Sequence, residues 1–363
     1  MRRGKTRVEN TSRTLSRDEA AAFGHELDQL RREVVASLGQ EDVDHIRRVI
    51  RTARYAEASG RLALHVGLDP VSFSAGVAAL ALSKILENME IGHNVMHGQY
   101  DWTKDPDLDS RSYEWDLVST ADAWRHSHNY EHHTFTNIVG KDRDIGYAVV
   151  RVSAEQRWHP VYVVQPVSAL VLAFIFQWGV GLHDLRLAEV LRGEQSFAEL
   201  RARARPFLAK AGWQVAKDYL FFPALALWNA PRVIAGNLLA NMARNLWSFA
   251  VIFCGHFPAG VRLYTEEEVQ GESRGEWFVR QLNGSANIEG TRLFHIATGH
   301  LSHQIEHHLF PDLPAARYPD LARRVRAICE RHGQAYNTGS FKKQLASVIG
   351  RIIRHALPSS APA

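Results

Sequence analysis

Hydrophobic residues first recur at helical spacing through LDQLRREVVASL, behind Ser16 and Glu19, whose separation by three predicts a capping box at a helix start. A second amphipathic helix is predicted through VDHIRRVIRTARYA. From Gly60 the pattern loses its polar stripe: LALHVGL, a turn at Asp69 and Pro70, then VSFSAGVAALALSKILENMEIGHNVMH predict a helical hairpin. Its second arm is long enough to cross a hydrocarbon layer of about 30 Å at roughly 1.5 Å per residue. The first arm reaches that length only by recruiting part of RTARYAEASGR. Lys84, Glu87 and Glu90 interrupt the second arm, and charges at such depth are expensive enough to predict a stripe facing the protein interior.

Residues 161–183 form the clearest spanning candidate, and residues 219–257 make a second apolar stretch broken near Pro231. The connection between them, 184–218, carries seven basic and five acidic residues. Mean hydropathy is −0.24, low for a chain with many spans, so a small membrane part is expected to carry a larger water-facing one. A large soluble all-helical protein is the alternative that these patterns leave open.

At 45% hydrophobic, the 363 residues suffice for a substantial core. The net charge of +4 is spread along the chain without a nucleic-acid-binding motif, so no nucleic-acid partner is expected. The basic N-terminal stretch lacks the apolar run of a secretory signal and is expected to stay in the cytoplasm. Cys254 and Cys329 are too few for a disulfide framework or a cysteine metal knuckle, and any metal must find other ligands.

Nineteen histidines supply them: six fall between His93 and His133, five between His295 and His308, and His256 ends an apolar stretch. His93 and His97 lie one helical turn apart, as do His128 and His132, with His133 beside them. His303, His307 and His308 repeat that pattern. A structural zinc site takes four ligands and a hydrolytic one three, so this many imidazoles points to two metal ions in a histidine-rich shell.

The three boxes, HxxxH, HxxxHH and QxxHH or HxxxHH, resemble those of the integral-membrane fatty acid desaturases. The likeness runs through KILENMEIGHNVMHGQYDW, HNYEHHTFTNIVGKDRDIGY, WSFAVIFCGHFPAGV and SHQIEHHLFPDLPAARY, spans roughly residues 15 to 355, and is strongest toward bacterial enzymes of the stearoyl-CoA type. It implies an all-α membrane protein of about four transmembrane helices, with a cytosolic helical cap holding a non-haem di-iron centre. It further implies O2 as co-substrate, an acyl-CoA or acyl-lipid substrate, and a separate electron donor such as a ferredoxin or flavoprotein reductase. No HPGG haem motif or ferredoxin-like cysteine cluster is seen in the sequence. The expected division is a basic tail at 1–15, a desaturase domain at 16–355 and a tail at 356–363.

Carried onto this chain, the resemblance implies ligands at His93, His97, His128, His132, His133, His256, His307 and His308. The first place of the third box falls to His303 or Gln304, and imidazole's stronger donation favours His303. His126 is expected to be solvated or behind a ligand, while Glu131, Glu306, Asp142 and Asp144 are candidates to hold ligand rings. His300 stands where the family pattern has asparagine, and as a helical residue it would share a stripe with His303 and His307. A hydroxylase on the same scaffold and a non-catalytic metal-binding membrane protein are the alternative functions.

One topological demand follows. The histidine clusters flanking 184–218 must meet, which requires an even number of crossings between them. Crossings by 161–183 and by part of 219–257 satisfy this and place the charged connection on the far side of the membrane, against the positive-inside bias.

Overall fold

The computed structural model describes residues 12–358, and the outer parts of the expected tails, 1–11 and 359–363, lie outside the described residues. Residues 12–15 are tied to the body: Arg13 donates its backbone N–H to Gly333 O at 3.2 Å, and Gln334 donates to Arg13 O at 2.8 Å. The capping box forms as expected, with Ser16 N donating to Glu19 Oε2 at 2.8 Å ahead of the helix Arg17–Ala36.

The architecture is helical, with two three-residue strands, Asn287–Glu289 and Thr338–Ser340, paired in parallel. Its stem is built from two helical hairpins. The first joins Gln40–Val66 to Pro70–Met96. The turn forms because Asp69 caps the second arm, accepting from Val71 N and Ser72 N at 2.9 Å each, and Pro70 starts the helix. The arms approach closely where neither carries a side chain. A Cβ on Gly60 would lie 2.8 Å from Leu80 N, and one on Gly76 would lie 2.9 Å from Leu64 Cγ.

The second hairpin corrects the expectation for 184–218. The helix Phe197–Ala216 continues through a π-helical turn, Lys217–Phe221, to Leu225, and returns as Ala230–His256. The connection therefore starts beside the histidines and forms one arm of the hairpin. Its charges are satisfied on that side: Arg186 pairs with Glu131, Lys210 with Glu114, and Lys217 with Asp116. The two hairpin tips meet at the opposite end, where Asn229 donates to His65 O at 2.7 Å and Arg232 to Ser72 Oγ at 2.8 Å.

Residues 161–183, by contrast, are not one straight rod. The chain bends by 100° between Pro160–Phe174 and Phe176–His183. Among the described residues, two helices, Pro70–Met96 and Leu227–His256, are long and apolar enough to cross a membrane, or three if the bent pair is one span. The charged residues inside the first of them face inward as expected: Lys84, Glu87 and Glu90 are all buried. Lys84 Nζ donates to Asp218 Oδ2 at 2.9 Å, and Asn241 donates to the same oxygen at 3.0 Å, locking the two hairpins together.

Above the stem a cap closes over Phe23, Leu27, Phe278, Leu309, Phe310, Leu321 and Val325. It uses Arg17–Ala36, Arg274–Asn283, Gln304–Leu309 and Tyr318–Arg331. The amphipathic helix Phe341–His355 packs on Ala230–His256 and Gln165–Phe174, with Ile349 and Ile353 left exposed.

Removing one partner of the buried ion pair leaves an uncompensated charge. Asp218→Ala is expected to destabilise the protein by about 3 kcal/mol, and the double change Lys84→Met with Asp218→Leu to recover most of that loss. Thermal unfolding of the purified protein in detergent measures both.

Candidate metal centre

Three helix segments deliver the histidines. The end of Pro70–Met96 passes through a π-helical stretch, Glu87–Gly92, before His93, and the second group lies on another, Arg125–His132. Widening a helix in this way changes the direction of the side chains that follow, which is why such turns recur at functional sites. The third group comes from Gln304–Leu309, and His256 ends the helix opposite it.

Their ring nitrogens converge as two groups. His93, His97, His128 and His307 place one nitrogen each within 4.8 Å of one another, as do His132, His256 and His308. His133 joins His307 and His308 in a third set, so it stands between the other two. Its ring lies 4.8 Å from that of His307 and 4.6 Å from that of His308.

The orientation of these rings is held from behind. Asp142 lies 3.0 Å from His132 Nδ1, Asp144 3.4 Å from His128 Nδ1, and Asn94 Oδ1 3.0 Å from His93 Nδ1. Gln281 Oε1 is 3.0 Å from His308 Nδ1, and Tyr318 OH 3.5 Å from His307 Nδ1. With Nδ1 engaged, each ring turns its Nε2 inward, and a partner at the distal nitrogen is what fixes tautomer and direction around a bound ion. Asp142 and Asp144 could be anticipated from sequence proximity. Asn94, Gln281 and Tyr318 could not, since nothing in their spacing ties them to a histidine.

Among the described residues, the Nε2 atoms of His97, His128, His132, His133, His307 and His308 at the centre, and those of His183 and His303 outside the two groups, are buried without a hydrogen-bond partner. So many desolvated nitrogens without partners call for an ion, because a buried polar atom left alone costs the full desolvation penalty. Burial holds His97, His128, His133, His307 and His308 well below the usual histidine value, in the neutral form that binds metal. At His132 burial acts the same way, but the Asp142 carboxylate outweighs it and raises the ring.

The third box departs from its expected geometry. Gly299 and His300 both adopt left-handed backbone, with φ of 65° and 55°, so no continuous helix runs from His300 to His307. The stripe of His300, His303 and His307 does not form. His303 lies against His295, ring centroids 4.5 Å apart, and outside both nitrogen groups. Gln304 instead reaches the centre: its amide is 2.9 Å from His256 Nε2, and its Oε1 is buried without a partner. Glu306 holds no ligand ring and accepts from Asn287 Nδ2 at 2.8 Å and Tyr336 OH at 2.9 Å, with burial pushing its carboxyl up to about 7. His126 is half exposed and faces Glu131 at 3.4 Å, away from the centre.

A cavity of about 60 Å³ opens onto the histidines. His93, His128, His132, His256 and Gln304 line one end, and Trp115, Trp124, Tyr147, Phe176 and Ile252 line its walls. Asn88, Arg244, Asn245 and Ser248 add polar groups deeper in the stem, and His183, whose role the sequence did not suggest, also borders it.

Comparison with known proteins gives concordant results. The family model for fatty acid desaturase matches residues 71–340. NADPH-dependent stearoyl-CoA 9-desaturase of Mycobacterium tuberculosis is 43% identical over 337 residues, covering 92% of this chain and 79% of that protein. The sn-1 linoleoyl-lipid 6-desaturase of Synechocystis sp. is 28% identical, over 75% of this chain and 77% of its own length. Human fatty acid desaturase 3 is 25% identical over 62% of this chain and 48% of its own.

Because Asp142 is the charged partner of a central ring, Asp142→Ala is expected to weaken retained metal about 10- to 100-fold. Metal analysis after dialysis against a graded chelator series measures the loss, with His126→Ala as the control expected to retain metal like the parent chain.

Proposed function

The chain belongs to the fatty acid desaturase family and is an enzyme of fatty acyl desaturation, and from this premise we propose that it desaturates a long saturated acyl thioester of the stearoyl-CoA class at a di-iron centre. The observation that carries the reading is the pair of nitrogen groups, each with buried Nε2 atoms lacking partners, bordering a largely apolar cavity.

In this reading His93, His97, His128 and His307 would hold one iron, and His132, His256 and His308 the other, with His133 between them. Gln304, rather than His303, takes the first place of the third box, because its amide faces His256 while His303 turns toward His295. Imidazole nitrogen suits iron among several transition metals. When bound, the irons supply the activation of O2 needed to oxidise unactivated carbon.

The balance of the reaction is R–CH2–CH2–R′ plus O2, two electrons and two protons, giving R–CH=CH–R′ and two waters. The protein's part is placement. Trp115, Trp124, Phe176 and Ile252 hold the chain by apolar contact and keep water from it. Asp142, Asn94, Gln281 and Tyr318 keep the ligand rings aimed, so the two methylene carbons meet a preorganised site. The mycobacterial relative is NADPH-dependent by its name. We assign NADPH as the ultimate reductant here, with a separate redox protein delivering the electrons.

The catalytic domain is proposed to span 16–355. Its two hairpins cross the membrane as four helices, with cap and metal centre on the cytoplasmic side. Support comes from the apolar residues exposed around the stem, among them Leu62, Val66, Val71, Leu220, Phe221, Leu225 and Trp228. The arrangement also leaves Arg201, Arg203 and Arg205, in the first turns of Phe197–Ala216, toward the side of the cap, in keeping with the positive-inside bias.

Incubation with stearoyl-CoA, reductant and 18O2, followed by gas chromatography and mass spectrometry, is expected to give an unlabelled alkene. A labelled hydroxy acid, or no new species from iron-replete enzyme with a competent donor, overturns the reading. His307→Ala and His132→Ala are expected to abolish turnover, and Gln304→Ala to lower it by at least about tenfold. His303→Ala is expected to cost far less in the same assay. In topology mapping, Leu68→Cys is expected to react with an impermeant maleimide only from outside the cell and Asp122→Cys only after lysis; the buried native cysteines give little background.

A further inference from the structure

We propose that His45, Glu90 and His300 form a third divalent-metal site, separate from the histidine centre and of the two-histidine, one-carboxylate type. His45 Nε2 lies 2.8 Å from Glu90 Oε1, and His300 Nδ1 lies 2.8 Å from Glu90 Oε2. One ligand atom from each of the three residues falls within 4.8 Å of the others.

Three remote parts of the chain supply the donors. His45 comes from the helix Gln40–Val66, Glu90 from the π-helical turn before His93, and His300 from the break before the third histidine group. Glu90 and His300 are buried, with side chains 1% and 4% exposed. A carboxylate at that depth needs a positive partner, since an uncompensated buried charge costs several kcal/mol. Its ion pairs among the described residues are with His45 and His300. Two imidazoles can donate hydrogen bonds to it, but while neutral they leave its charge uncancelled.

A divalent cation removes that charge and uses all three groups as ligands. Zinc binds imidazole nitrogen at about 2.0–2.1 Å and carboxylate oxygen at about 2.0–2.2 Å, and takes water in a remaining position. To share one ion, the nitrogen–oxygen separations of 2.8 Å would widen and the two imidazole nitrogens, held on different oxygens of Glu90 and within 4.8 Å of one another, would draw in. His45, with 12% of its side chain exposed, provides the entry path. The left-handed conformation of His300, φ 55°, turns its ring out of the path of the following helix and toward Glu90. Such an ion would clamp the helix that carries His93 to the segment that leads into His307.

The test uses the full-length iron-loaded enzyme, equilibrated with excess zinc sulfate, desalted and analysed by plasma mass spectrometry. The parent is expected to retain one zinc per chain in addition to its iron. His45→Ala and His300→Asn are expected to lower that zinc at least tenfold while iron content stays at the parent value. His45 sits at the rim, so its truncation reads the site even where the deeper change disturbs packing. Equal zinc in parent and variants, zinc gained only in exchange for iron, or no zinc beyond the iron in the parent would each overturn the proposal. The readout is a difference in zinc content and does not depend on which acyl product the enzyme makes.

Discussion

Gathering eight imidazoles at one buried point is the constraint on which the rest of this structure depends. Each ring has two nitrogens, and burying either without a partner is costly. The fold meets this by splitting the ring in function. In five of the eight rings, Asp142, Asp144, Asn94, Gln281 and Tyr318 engage Nδ1 from outside and leave Nε2 to the interior, whereas His256 turns its Nε2 to Gln304. Without those outer partners the rings could rotate to satisfy themselves against backbone or water, and the inward convergence would be lost. Asn94 comes from the stem helix itself, but the other four come from Arg274–Asn283, Tyr318–Arg331 and the loop after His133, so the cap is as much a part of the centre as the stem is.

The stem answers a second demand, that a polar centre sit at the end of an apolar cavity without the helices drifting apart. Side-chain-free contacts at Gly60 and Gly76 bring the first hairpin together. The Lys84–Asp218 pair, backed by Asn241, ties it to the second. A buried ion pair adds little net stability over an apolar pair, but it discriminates strongly against sliding, because any shift strands both charges. That register matters here: Pro70–Met96 carries His93 and Ala230–His256 carries His256, and the two must arrive at the same height.

The sequence was informative where chemistry is dense and ambiguous where backbone geometry decides. The histidine spacings at His93 and His97, and at His128, His132 and His133, were legible because those residues do lie on continuous helix, π-helical in part. In the third box the spacing favours His303, but His303, at φ −105° and ψ 55°, stands outside the helix that starts at Gln304, and it is Gln304 that faces His256. Imidazole is the better donor, yet backbone direction outranks donor strength. The second hairpin was obscured for a related reason. Residues 197–217 look too charged for a stem, but Lys210 pairs with Glu114 and Lys217 with Asp116, partners about a hundred residues away. Hydropathy summed along a window cannot register such pairing. It also made 161–183 look like a straight span, although the chain turns by 100° at Ile175.

The bend has a consequence for access. Tyr147 and His183 border both the cavity at the histidines and a larger one of about 1100 Å³, which opens between the bent helix and the segment after the second histidine group. A straight helix through 160–183 would have sealed this side of the stem. Bent, it carries Phe176 and Val180 into the wall of the inner cavity while Val167 and Val171 line the outer one. The partition between the two spaces rests on few side chains. Gly146, Tyr147 and Ala148 hold it in three successive left-handed conformations, at φ of 65°, 52° and 59°. Such backbone persists in non-glycine residues only when surrounding packing imposes it, and here the packing is Tyr147 against Phe176 and Phe253. The Tyr147–Phe176 contact in the wall of the inner cavity thus fixes the boundary across which it meets the outer one.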